Sequence, residues 1–93
     1  MGIFSSLHLY GGNWQIKDSR NFTAKEQNEV LRAQVVDSSY GLSCCFFMKA
    51  GGQVYIPMST NSKLSAGDAV NVATCKVLTL GRQGDNDIIR IEE

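Results

Sequence analysis

From Val30 onward the chain alternates side chains with a period of two, the spacing of a strand whose residues point to opposite faces in turn. The strongest run is Leu42 to Lys49. Leu42, Cys44, Phe46 and Met48 share one face, and all are apolar. Ser43, Cys45, Phe47 and Lys49 share the other. The uniformly apolar set is expected to face a core. In the preceding strand the same rule sets Leu31, Ala33 and Val35 on one face against Arg32 and Gln34 on the other. A sheet with one apolar face must bury it against another layer, which directs the fold towards a sandwich or a small barrel.

Turn residues cut the remaining chain into short pieces. Asp37-Ser38-Ser39 ends the first strand and leads into Tyr40-Gly41. Ala50-Gly51-Gly52 closes a hairpin into Gln53 to Met58. There Val54 and Ile56 are expected inward and Tyr55 outward. Pro57 has no N–H for a ladder, so this strand ends there or lies at an edge. Ser59 to Ser62 reads as a loop, and Leu64-Ser65-Ala66-Gly67-Asp68 as a tight turn before Val70 and Val72. Lys76 to Leu80 is another strand, Gly81 to Asn86 a turn and Ile88 to Ile91 the last strand. The expectation is an all-β chain: a five-stranded barrel from about residue 28, with closure removing exposed edges.

The first third is more mixed. Leu7 to Tyr10 and Trp14 to Lys17 flank Gly11-Gly12-Asn13, a pattern that predicts a hairpin. Asp18 to Asn21 reads as a loop. Thr23-Ala24-Lys25-Glu26 has capping-box spacing and predicts a short helical turn over Ala24 to Asn28. With no linker or repeat, residues 1–93 are expected to form one domain, with 1–27 an extension packed on the barrel of 28–93.

Nine Lys plus Arg balance nine Asp plus Glu, which excludes a protein that grips duplex DNA by net charge alone. Cys44 and Cys45 are adjacent and point apart in a strand, so with Cys75 they are expected to be reduced thiols in a reducing, cytoplasmic setting. Met1 to Tyr10 has neither the basic start nor the apolar run of a secretory leader, and no stretch reaches a membrane span.

Catalytic patterns are absent. His8 is the sole histidine and lies between Leu7 and Leu9 without a marked partner. No Gly-x-Ser-x-Gly elbow surrounds Ser38, Ser39 or Ser59. Asp85 and Asp87 lack the length and distal Glu of a calcium loop, and Gly11-Gly12 and Gly51-Gly52 lack the Lys-Ser/Thr of a phosphate loop. The chain is expected to be a non-enzyme without metal or cofactor.

From Val35 to Leu80 a strand leads into Tyr40-Gly41, then a long apolar strand and a Gly-Gly hairpin. Tyr55-Ile56-Pro57-Met58-Ser59 and Leu64-Ser65-Ala66-Gly67-Asp68 follow. This arrangement resembles the OB-fold of cold-shock and single-stranded-DNA-binding proteins. The resemblance implies an OB-like barrel that binds single-stranded nucleic acid, DNA more than RNA, with little sequence preference. The compactness suits a phage or mobile-element accessory.

Such binding needs aromatic faces for bases and local cations for phosphates, not a large net charge. Among residues expected to leave the core, Trp14, Tyr40, Phe47 and Tyr55 are candidates for stacking, and Arg32, Lys49, Lys63 and Arg82 for phosphates. Two alternatives stand beside this. Phe4, Leu9, Trp14 and Phe22 can cover Phe47 and Tyr55, or a second copy can do so in a homo-oligomer that uses the same aromatic face for assembly.

Overall fold

The computed structural model describes residues 14–39 and 41–93. In chain order these form β1 (Gln15–Asn21), α1 (Ala24–Glu29), β2 (Val30–Ser38), β3 (Gly41–Met48), β4 (Gln53–Pro57), β5 (Ala69–Val70), β6 (Lys76–Gly81) and β7 (Ile88–Glu92). The strands make two antiparallel sheets, one ordered β4-β3-β2-β5 and the other β1-β6-β7. The expected all-β class holds, as two sheets that do not close into a barrel. Six strands, not five, follow residue 28, because residues 71–75 form a turn that separates β5 from β6. Among the described residues no helix is long and apolar enough to cross a membrane.

The core lies between the sheets. Val30, Ala33 and Val35 of β2, Cys44 and Phe46 of β3, Val70 of β5, Val77 of β6 and Ile91 of β7 meet there with Met58 and Cys75. Val35 and Ile91 are fully buried, each stabilising the fold by about 1.5–3 kcal/mol. The sheets join where Met58 bridges Ile91 in parallel, and the Ser59 N–H donates to the Ile91 carbonyl at 2.7 Å. Phe22 packs on Phe46, with ring centroids 5.5 Å apart. It is therefore spent on the core and does not cover the opposite face of β3.

The capping box forms as its spacing predicts. The Glu26 N–H donates to the Thr23 hydroxyl at 3.1 Å, and the Thr23 N–H donates to the Glu26 carboxylate at 2.9 Å. The Gly-Gly hairpin forms as well; Gly51 and Gly52 take φ of 103° and 84°, which a Cβ would oppose. In the 64–68 turn the Asp68 carboxylate accepts from the Ser65 N–H at 2.8 Å, while the Val35 N–H donates to the Asp68 carbonyl.

Several expectations are corrected. Leu31 is 66% exposed and Val30 takes its place in the core. The cause is a bulge: Val30 faces Met48 and Arg32 faces Phe47, leaving Leu31 as an extra residue. Leu42 is partly exposed because it pairs with Asp37 near the end of the β2–β3 hairpin. Val54 is also exposed, lying on terminal strand β4, which meets the second sheet only near Met58. Asp18 to Asn21 belongs to β1, not to a loop. All seven β1 side chains are exposed, so its pairing with β6 leaves no hydrophobic trace. Val72 lies beyond β5, because the Asn71 side chain caps the next turn by accepting from the Ala73 N–H at 2.9 Å. Leu7 to Tyr10, with His8, and Tyr40 lie outside the described residues.

Candidate nucleic-acid interface

The register of β2, β3 and β4 lines up the side chains on the sheet face opposite the core. Arg32, Phe47 and Gln53 form one row across three strands. Gln34, Cys45 and Tyr55 form the next, and Val36, Ser43 and Pro57 the third. Neighbours in such rows are about 4.5–5.5 Å apart at Cβ. None of these nine residues is a carboxylate, so the guanidinium of Arg32 is the only formal charge in the three rows.

The side chains on this face are linked. The Arg32 guanidinium carbon lies 3.9 Å from the centroid of the Phe47 ring, a cation–π contact that leaves Phe47 half-buried. Arg32 also donates to the Gln34 side-chain carbonyl at 3.3 Å, and the Gln34 amide donates to the Gly67 carbonyl at 3.3 Å. Tyr55 is 55% exposed, and its hydroxyl donates to the Gln53 side-chain carbonyl at 2.7 Å. The Cys45 side chain, paired with it across the ladder, raises the Tyr55 phenol above its ordinary value. Tyr55 is thus a neutral donor at physiological pH.

The other candidates fall elsewhere. Lys49 is exposed in the turn after β3, its backbone N–H donating to the Glu29 carbonyl at 3.0 Å. Lys63 is exposed in the loop between β4 and β5. Trp14 and Arg82 sit together on the second sheet, the guanidinium carbon 4.5 Å from the indole centroid. Arg82 donates to Asp85 at 2.6 Å, and Lys17 pairs with Asp87 at 2.9 Å. The two aspartates of the β6–β7 turn are therefore engaged by cations. One expected surface becomes two places: Arg32, Phe47 and Tyr55 on the first sheet, and Trp14 with Arg82 on the second.

Gln34 and Gln53 belong to the first place, although their residue type draws no attention in the sequence. The available signal is spacing: Gln34 stands two residues from Arg32, and Gln53 two from Tyr55, hence on the same faces. No protein-family model, curated protein or solved structure matches the chain.

Proposed function

We propose that the chain binds single-stranded DNA on the outer face of the four-stranded sheet, by stacking and backbone contacts. The observation that carries this is the Arg32–Phe47 stack beside exposed Tyr55 on rows free of carboxylates. Flat π surfaces accept any base, each stack being worth about 1–3 kcal/mol, and guanidinium planes stack bases as aromatic rings do. A base rests on the free face of Arg32 or on Tyr55, while Lys49 at the hairpin end meets phosphate. Trp14 with Arg82, and Lys63, serve as flanking contacts for a longer strand.

The connectivity supports an opened OB-like barrel. β2, β3 and β4 run antiparallel, Met58 just after β4 bridges Ile91 of β7 in parallel, β7 pairs with β6, and β5 returns to β2. Counting β5 and β6 as one broken strand gives five. In OB-folds the second and third barrel strands carry the ligand, which here are β3 and β4.

The test is an anisotropy titration with labelled oligothymidylate at low and moderate salt. Binding is expected to weaken as salt rises, and Phe47→Ala with Tyr55→Ala is expected to abolish it without changing the circular dichroism spectrum. An unchanged signal at tens of micromolar protein refutes the proposal. Exposed Val54 and Tyr55 on terminal strand β4 favour self-assembly as the second reading. In that case the same double variant changes the sedimentation coefficient and DNA has no effect.

A further inference from the structure

Among the described residues the two sheets end on β4, β5, β1 and β7. An open sheet edge pairs with other chains unless charge, a bulge or shortness blunts it. Three of these edges are blunted. β5 has only two residues. β1 carries a register shift between Ile16 and Asp18 and exposes Lys17, Asp18 and Arg20. β7 carries Arg90 and Glu92. β4 runs Gln53-Val54-Tyr55-Ile56-Pro57 without a charge, and Val54 is 45% exposed.

The main chain of β4 shows what its open side offers. The Met48 N–H donates to the Gly52 carbonyl at 3.1 Å, and the Met58 N–H donates to the Leu42 carbonyl at 2.9 Å. Hydrogen-bonded pairs alternate along an antiparallel ladder, so Val54 and Ile56 bond to β3, while Gln53, Tyr55 and Pro57 turn their main-chain groups outwards. Pro57 has no N–H and adjoins Met58, where β7 joins. The open stretch is therefore the N–H and C=O groups of Gln53 and Tyr55.

We propose that β4 pairs with β4 of a second copy, antiparallel about a two-fold axis at Val54. In this register Gln53 of each copy exchanges both hydrogen bonds with Tyr55 of the other, and every open group is satisfied. An axis at Tyr55 sets Gln53 against Pro57, whose missing N–H leaves the Gln53 carbonyl without a donor. With the axis at Val54 the two Val54 side chains meet, and Gly51 and Gly52 set no side chain against Pro57 and Ile56 of the other copy. The outer faces stay open and become one: the row Arg32–Phe47–Gln53 runs on into Tyr55, Cys45 and Gln34 of the second copy. The pairing is thus independent of DNA binding and does not use the aromatic face. Two strands this short bury less than the about 1,200 Å² of a stable interface, so the dimer is a transient one.

The test is register-specific crosslinking of the full chain. Val54 of each copy occupies a non-hydrogen-bonded pair, with Cα atoms about 4.5 Å apart, which suits a disulfide. Under diamide Val54→Cys is expected to give a covalent dimer about tenfold faster than Gln53→Cys, whose two copies lie offset along the strands. In sedimentation velocity the unaltered chain is expected to shift towards dimer as concentration rises. Val54→Lys is expected to stay monomeric, and an equal mixture of V54K and V54E to recover the dimer. The Phe47→Ala, Tyr55→Ala variant is expected to keep the dimer, which separates edge pairing from assembly through the aromatic face. A chain monomeric at its highest soluble concentration, or equal crosslinking at positions 53 and 54, overturns the proposal and leaves the DNA-binding reading standing.

Discussion

Leu31 and Val30 give the sharpest test of the fold, because periodicity and structure assign them opposite places. In the structure Leu31 is 66% exposed at the β2 bulge and Val30 is 8% exposed in the core. Leu31→Ser therefore removes little buried surface, and its effect is expected within about 0.5 kcal/mol, the range of ordinary surface changes. Val30→Ala removes two buried methyl groups at about 0.8 kcal/mol each and leaves a small cavity, for a total of about 2 kcal/mol. Urea unfolding followed by circular dichroism measures both. For a chain of this size, each kcal/mol shifts Tm by about 4–8 °C, so Val30→Ala is expected to melt about 8–16 °C lower while Leu31→Ser scarcely moves. Without the bulge Leu31 points inward and Val30 outward, and the two costs exchange. A loss of about 2 kcal/mol or more for Leu31→Ser, with Val30→Ala near neutral, refutes the register assigned to β2.

Two further outcomes concern titratable groups. The hydrogen bond from Arg20, at 2.8 Å, and the Thr23 N–H lower the Glu26 carboxyl from its ordinary 4.5 to about 2. Its stabilising contribution is complete above pH 4.5 and is lost as pH falls towards 2; because the pair is well solvated, this is on the order of 1 kcal/mol. Melting curves from pH 6 to 2.5, about the span of that titration, are expected to converge for the unaltered chain and Glu26→Gln, and parallel curves contradict the capping-box linkage. Burial pushes the Cys44 thiol up to about 12 and the Cys75 thiol up to about 11. With Cys45 also buried, iodoacetamide at pH 8 is expected to label none of the three thiols in the folded chain and all three in denaturant; rapid native labelling of Cys44 or Cys75, read by mass spectrometry, contradicts their place in the core.

Local rules were sufficient where the cause is local. Alternation fixes that Cys44 and Phe46 face one way and Phe47 the other, since successive residues in a strand must diverge. Thr23 and Glu26 satisfy each other within one turn of chain, so the helix start is readable from three-residue spacing. Gly51-Gly52 fixes the hairpin because positive φ is open to glycine.

The rest depends on partners distant in sequence. β1 is a strand only because β6 supplies its hydrogen bonds; its seven exposed side chains carry no periodic signal. The bulge at Leu31 is a property of the β2–β3 ladder, and one unpaired residue reverses the face of everything before it. Register also decides the candidate site. It brings Arg32 over Phe47 and sets Gln53 beside them, fifteen residues before and six after the ring, while carrying Arg82 to Trp14 on the other sheet. The sequence determines which side chains leave the core; only pairing between strands determines which of them meet, because the neighbour across a sheet is set by ladder alignment and not by distance along the chain.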